Sequence, residues 1–324
     1  MALNKEQILT LTCLKEVGVK GIGTQKIFLI AKAIEDKGLI VNDMVELATL
    51  MGSMKEKAIQ KVTLENLNDA YRCAGRIVEA SEAAGIKYLG YFDDEFPDML
   101  RNTINEDGKQ DPPLIIWYRG DLSLTKLPGL AVIGTREATP EGIAGGEFLS
   151  GQFAMRGFNI VSGLAVGCDT CGHNGALKVG GKTTAILANG LDHDSIYPPE
   201  NQDLAERIVE NGGLLLSEYR IGSTVNRYNL VARDRLQAGL AMATLVIQTG
   251  ERGGTMHAAK TTLKANKSLY TMLYKDPATN NHERCLGNAL LVKQGARYVS
   301  GGDNLDEISD FIKSCKPVKK DLFD

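Results

Sequence analysis

Apolar residues in the first quarter of the chain recur at helical spacing, and no segment there alternates like a strand. Residues from Asn4 to about Ile77 therefore read as a set of helices. Within them, Val17-Gly18-Val19-Lys20-Gly21-Ile22-Gly23-Thr24-Gln25-Lys26 forces a tight turn between two helices. The free amides that open the second helix could meet a phosphate, as in a helix-hairpin-helix motif. A plain helical hairpin with a glycine turn explains the same residues equally well. A helix over Ala70–Ala84 then runs into a short strand, Ile86–Gly90. Asn105–Pro113 is polar, ends in Pro-Pro and reads as an exposed loop. Leu114–Tyr118 is a second strand, stopped by Arg119-Gly120-Asp121.

From about Leu130 the pattern changes to alternating strands and helices, as in a parallel sheet covered on both faces. Strands are expected at Leu130–Ile133, Asn159–Val161, Thr183–Leu187, Leu214–Ser217, Ala243–Gln248 and Ser268–Met272, with a weaker one at Arg297–Ser300. Helices are expected to begin near Glu141, Cys171, Gln202, Arg227, Gly254 and Glu283, with a last one over Asn304–Cys315. The expected fold class is α/β: an extended Rossmann-like, doubly wound, mostly parallel sheet preceded by a small helical domain. The expected domains are residues 1–77 (helical), 78–315 (Rossmann-like) and a charged tail, 316–324.

The 324 residues carry a net charge of −3, so diffuse basic attraction to nucleic acid is excluded and any such site must be a local patch. There is no apolar run of membrane-spanning length, and the start Met1–Gly18 lacks a signal-peptide pattern. A soluble cytoplasmic protein without a membrane partner is expected. The six cysteines are scattered. Only Cys168 and Cys171 have metal-ligand spacing, and without a second pair they do not close a zinc site, so neither a metal nor another cofactor is expected.

Candidate chemistry collects in the loops that follow the strands, where open α/β sheets bind ligands. These loops are Gly134-Thr135-Arg136, then Ser162-Gly163-Leu164-Ala165-Val166-Gly167-Cys168-Asp169, then Asn189-Gly190-Leu191, and finally Gly250-Glu251-Arg252-Gly253-Gly254-Thr255, which leads directly into a helix. Glycine lets backbone amides approach a phosphate, the helix start adds partial positive charge, and Thr135, Ser162 and Thr255 offer hydroxyls. Arg136 and Arg252 can grip phosphate oxygens in a fork. Asn229, Arg233, Arg235 and Lys260 extend the candidate basic rim, with Tyr228 available to stack on a base. Residues two apart do not share a helix face, so Arg233 and Arg235 reach one groove only if the chain is still turning there; otherwise they pair with local carboxylates. No GxGxxG follows the first strand of the sheet and no GxxxxGK[ST] is present at a strand–helix turn.

Taken together these segments resemble the DprA/Smf (DNA-processing protein A) family over nearly the whole chain. The resemblance is carried by Asp94–Leu100, Tyr118–Leu122, Ala131–Thr139, Ser162–Ala165, Gly190-Leu191-Asp192 with Ile196–Asn201, Leu215–Tyr219, Arg233–Arg235 with Ala238–Leu240, and Gly250–Thr255. It implies a helical domain of helix-hairpin-helix or SAM-like type before the Rossmann-like one, and single-stranded DNA bound at the strand ends by Arg136, Ser162-Gly163, Arg233, Arg235 and Gly250–Thr255. It also implies a homodimer, delivery of the strand to a RecA-type recombinase and a part in natural transformation. Departures from the family pattern are Val166 and Cys168 in place of arginine and isoleucine, Asp234 in place of asparagine between the paired arginines, and Gly253-Gly254-Thr255 in a loop that often contains serine. Loss of a cation and gain of an anion weaken polyanion binding.

The alternative is a nucleotide sensor or phosphoribohydrolase-like enzyme. Gly253-Gly254-Thr255 resembles the glycine loop of such hydrolases, but Ala258 stands where they carry a carboxylate, leaving Glu251 or Asp169 as substitutes. His173, His193, His257 and His282 lie in distant segments and assemble no nucleophile pair, so no enzyme is expected. The ending Asp321-Leu322-Phe323-Asp324 resembles sliding-clamp-binding peptides but lacks their glutamine; a flexible tail is the plainer reading.

Overall fold

The computed structural model describes residues 3–315. The tail at 316–324, and with it the clamp-binding reading, lies outside the described residues. The chain forms two compact units, residues 3–96 with Pro113–Trp117, and residues 97–112 with 118–315. A boundary at residue 77 would cut through a helix that runs on to Ala83.

The first unit is built on α1 (Lys5–Cys13), α2 (Thr24–Asp36), α3 (Met44–Ser53), α4 (Lys57–Gln60) and α5 (Leu64–Ala83). Its helices start where side chains satisfy the free amides. Asn4 and Gln7 form a reciprocal capping box on α1, and Thr63 and Asn66 form one on α5. Ile8, Leu11, Ile27, Ile30, Leu47 and Leu67 are fully buried, as the helical spacing requires. Gly18 (φ 84°) ends the short 3-10 turn Leu14–Val17, and Gly23 opens α2 without a side-chain cap. Strand β1 (Lys87–Gly90) lies beside β2 (Ile115–Gly120), whose first half belongs to this unit.

The second unit contains α6 (Asp98–Arg101), β3 (Gly129–Ile133), α7 (Pro140–Met155), β4 (Asn159–Ser162), α8 (Cys168–Lys178), β5 (Lys182–Leu187) and α9 (Gln202–Glu210). It continues with β6 (Leu214–Ser217), α10 (Arg227–Leu240), β7 (Ala243–Val246), α11 (Gly254–Lys264), β8 (Ser268–Met272), α12 (Pro277–Asn280), α13 (Leu286–Lys293), β9 (Arg297–Val299) and α14 (Leu305–Ser314). From the second half of β2 the strands run β2-β6-β5-β4-β3-β7-β8-β9, and every pairing from β6 to β9 is parallel. Successive side chains of a strand go to opposite faces. Val132 and Leu245 pack with Leu149, Phe153 and Phe158, whereas Ile133 and Val246 pack with Met256, Ala259 and Leu291.

This order places the site. From β3 the chain winds one way through β4, β5 and β6. Helix α10 then carries it back to lay β7 against the other side of β3, with Leu130 opposite Ala243 and Ile133 opposite Val246. The loops leaving β3 and β7 therefore diverge, opening a crevice at the carboxyl ends of the two strands.

Candidate nucleic-acid interface

A cleft of about 410 Å³ occupies that crevice. Gly134, Thr135 and Arg136 line it from the β3 side, and Thr249, Gly250, Arg252, Gly253, Gly254 and Thr255 from the β7 side. Arg233, Asp234, Gln237 and Asp169 also border it. Two loops named from the sequence, after β3 and after β7, thus meet at one opening.

Each loop is held by a specific contact. The Thr135 amide donates to the Gln248 carbonyl (2.7 Å), and the Gln248 carboxamide bonds the Thr139 amide and hydroxyl (2.9 Å each), tying the exit of β3 to that of β7. The Thr135 hydroxyl accepts from the Glu137 amide (3.2 Å), which leaves its own hydrogen for a ligand. Helix α11 starts at Gly254 with no side-chain cap, so its first amides are available to an anion. The Thr255 hydroxyl makes no hydrogen bond among the described residues.

Arg136 and Arg252 are both exposed, and neither has an ion-pair partner among the described residues. The acid next to Arg136 is occupied elsewhere, since Glu137 pairs with Arg284 at 2.5 Å. Two cations with unspent charge thus stand on opposite sides of an opening rich in free backbone amides, an arrangement suited to phosphate groups.

Several other candidates have different roles. Arg233 is buried. Its Nη1 donates to the carbonyls of Gly163 (2.7 Å) and Ile186 (2.6 Å), and its Nε to Asp234 (3.1 Å), so it ties β4 and β5 to α10 and reaches the cleft only as part of its floor. Arg235 does not line the cleft. It forms a two-pronged pair with Glu218 (2.6 and 2.7 Å) and bonds Asp111 (2.8 Å), because α10 is a regular helix at this point and residues two apart face different ways. Ser162 is fully buried and gives its hydroxyl to the Val132 carbonyl (2.5 Å), so it cannot donate to a phosphate. Gly163, Leu164 and Gly167 shape the loop after β4 instead of lining the cleft. A Cβ on Gly163 would overlap the Arg233 guanidinium, Leu164 is fully buried, and Gly167 (φ 80°) lies against the Thr135 and Arg136 carbonyls. Gly190 packs beside Asp192, and Asn229 reaches the Ala188 carbonyl (3.4 Å). Glu251 and Lys260 are exposed outside the lining.

The floor is electrostatically unusual. Asp169 takes the amides of Gly163 (3.1 Å) and Ala165 (3.3 Å). Burial pushes its pKa up, and Arg233 partly opposes this. Burial likewise raises Asp234, to about 6, against the pull of Arg233. One guanidinium thus serves two carboxyl groups. Gly134 is required by packing, because a Cβ there would overlap Cys168. Burial raises the Cys171 pKa to about 12 and that of Cys168 further, so both thiols stay protonated. Among the described residues no group of three or more His, Cys, Asp and Glu is placed to hold a metal. His173 is buried against Thr183 (2.7 Å), with its pKa lowered by burial to about 3, and packs α8. No helix among the described residues is long and apolar enough to cross a membrane.

Sequence reasoning missed Gln248, Gln237, Leu230 and Val231 as parts of this region. It also missed that Asn201, in the Ile196–Asn201 string, holds the β4 loop through the Leu164 carbonyl (2.7 Å). Residues past a strand end or in mid-helix, polar or apolar, carried no signal beyond their type.

The sequence profile described as DNA recombination-mediator protein A matches residues 87–312. Protein Smf of Synechocystis is 31% identical over 296 residues, 89% of this chain and 69% of the relative. The DNA processing protein DprA of Bacillus subtilis is 26% identical over 79% of this chain and 85% of its own. The X-ray structure of DNA processing protein A from Streptococcus pneumoniae superposes with a TM-score of 0.70 at 26% identity, covering 93% of this chain and 97% of that one. DNA processing protein A from Helicobacter pylori, whose structure is described for its single-stranded DNA binding mode, matches at TM-score 0.57 and 28% identity over 70% of this chain and 96% of its own. The fold, the profile match and these relatives agree: the chain belongs to the DNA processing protein A (DprA/Smf) family.

Proposed function

We propose that this protein binds single-stranded DNA along the cleft between the β3 and β7 loops, as a DNA-processing protein of the transformation type. The observation that carries the proposal is the pair Arg136 and Arg252, exposed and without an ion-pair partner among the described residues, on opposite sides of the cleft at the sheet's switch point. Family membership and the single-stranded DNA binding named for the Helicobacter pylori relative support it. A flexible single strand can bend its phosphates onto the two arginines and the α11 amides, whereas a stiff duplex cannot follow a concave cleft of this size. The proposal includes a homodimer, cytoplasmic location and hand-over of the strand to a RecA-type recombinase; these rest on family resemblance.

Binding without turnover fits the groups that border the cleft. Ala258 lines it where related hydrolases carry a carboxylate, Asp169 is committed to backbone amides, and Glu251 lies outside the lining. The test is a titration of one preparation with a dT oligomer, a duplex of equal length and free nucleoside monophosphates. The expected result is tightest binding to the oligomer and no release of free base from the monophosphates. Equal or tighter binding of a monophosphate than of the oligomer would replace this reading with a nucleotide sensor.

A further inference from the structure

We propose that the face of α10 turned to the cleft is a nucleobase subsite that prefers guanine, an inference that rests on the cleft being the strand's binding site. Leu230, Asp234 and Gln237 stand at i, i+4 and i+7, so they form one stripe down that helix, with Val231 beside it; all four border the cleft. This wall is unlike the opposite one. Leu230, the half-exposed Val231 and the methyl groups of Ala165 and Ala258 are apolar, and Asp234 is an anion. A phosphate is repelled by such a wall, whereas a base can lay its flat face on the aliphatic groups and its polar edge against the carboxyl.

The polar groups available there define the edge. Asp234 Oδ1 accepts from Arg233 Nε at 3.1 Å. Oδ2 accepts no hydrogen bond among the described residues and faces open space below Gly254, where an added Cβ would still be 3.9 Å away. Gln237 is 3% exposed, and its buried Nε2 has no acceptor among the described residues. That Nε2 crowds the same point above Gly163 as the Arg233 guanidinium, whose Nη1 is already spent on the Gly163 and Ile186 carbonyls, so donor faces donor and the Gln237 amide is the one left without an acceptor. A half-turn of the carboxamide, which leaves its shape unchanged, sets Oε1 against the guanidinium and points the amide hydrogens into the cleft. The wall then offers a carboxylate acceptor next to an amide donor.

Guanine complements that pair most fully. Its N1–H and N2–H₂ are adjacent donors for the two carboxylate oxygens, and O6 beside them accepts from the amide. Adenine and cytosine each present a single amino donor on this edge. Thymine presents one N–H between two carbonyls, one of which must face the carboxylate. Asparagine at position 234 would offer one acceptor and one donor and lose the distinction. Asp234 is thus a specificity-determining residue of this chain.

The test compares a dT oligomer, the same oligomer with one central dG, and the same with deoxyinosine, which lacks the 2-amino group, by fluorescence anisotropy at low salt. A single dG is expected to tighten binding roughly tenfold, as one good bidentate contact does. Deoxyinosine should recover only part of that gain, a comparison that uses the unaltered protein. Asp234→Asn should abolish the dG advantage, so that the dT and dG oligomers bind alike to that variant, and Gln237→Met should reduce it. Equal affinity for the dT and dG oligomers, or a dG advantage that survives Asp234→Asn, would overturn the subsite while leaving the strand site standing. If the dT oligomer does not bind at all, both readings fall.

Discussion

The loops after β4 and β7 both contain glycines and use them for opposite purposes. In the β4 loop the glycines are pressed against neighbours. A Cβ on Gly163 would overlap the Arg233 guanidinium, and one on Gly167 would come within 2.5 Å of the Thr135 carbonyl oxygen. In the β7 loop there is room. A Cβ on Gly253 would meet nothing within 4 Å, and one on Gly254 only Asp234 Oδ2 at 3.9 Å. The first loop is an internal joint closed by a buried arginine, and the second is open to a visitor. A glycine-rich loop therefore marks a ligand site only where its glycines face empty space.

The contrast can be broken from the closed side with the largest effect. Arg233→Ala leaves two buried carbonyls without their donor and two carboxyl groups without their cation. A loss of about 3–5 kcal/mol is expected in denaturant unfolding. Gly163→Ala should cost several kcal/mol by the same assay, because the methyl group displaces that arginine. Stability unchanged in either variant would mean that the β4 loop is not the joint described.

Asp234, on the floor between the loops, gives a pH signature of intermediate size. Its neighbours are Arg233 on its own helix, Asp169 at the start of α8 and Glu106 in the 102–114 segment, and burial raises its pKa from 3.8 to about 6. A raised carboxyl favours the folded state's protonated form, so its contribution is most favourable below pH 3.8 and is lost as pH rises to about 6. Asp234→Asn removes the cost of the buried charge. At about pH 8 it should be more stable than the parent by about 2 kcal/mol, with the advantage fading toward about pH 4. A stability difference that does not vary with pH would show that this carboxyl has an ordinary pKa.

The smallest effect on the fold belongs to the open loop. Gly254→Ala meets no neighbour closer than 3.9 Å and replaces glycine by a better helix former at the start of α11, so stability should change by less than about 0.5 kcal/mol. Its methyl group intrudes on the cleft, and affinity for a dT oligomer should fall. A large stability loss would show that this loop is packed as tightly as its counterpart.

Much of this was legible from residue pattern. The strand runs at Leu214–Ser217 and Ser268–Met272 coincide with β6 and β8, because a strand covered on both faces must be continuously apolar. The loops of Gly134–Arg136 and Gly250–Thr255 were visible as glycine next to arginine and threonine at strand ends. What was not legible depends on distant partners. Arg235 is neutralised by Asp111, 124 positions away, and Ser162 is spent on a carbonyl 30 positions back. No local pattern distinguishes a spent arginine from a free one. The switch point between β3 and β7 was equally hidden, since strand order in a sheet is set by which crossovers pack and not by spacing along the chain.

The most direct test of the open cleft as the strand site is the salt dependence of dT-oligomer binding for the parent protein, Arg136→Ala and Arg252→Ala. Each contacted phosphate releases condensed cations, contributing about 0.7 to the slope of log affinity against log salt on a single strand. The account predicts that each variant keeps its fold, binds more weakly and loses roughly that increment of slope, while Arg76→Ala, in the helical unit, matches the parent. Folded Arg136→Ala and Arg252→Ala proteins with the parent's affinity and slope would contradict it.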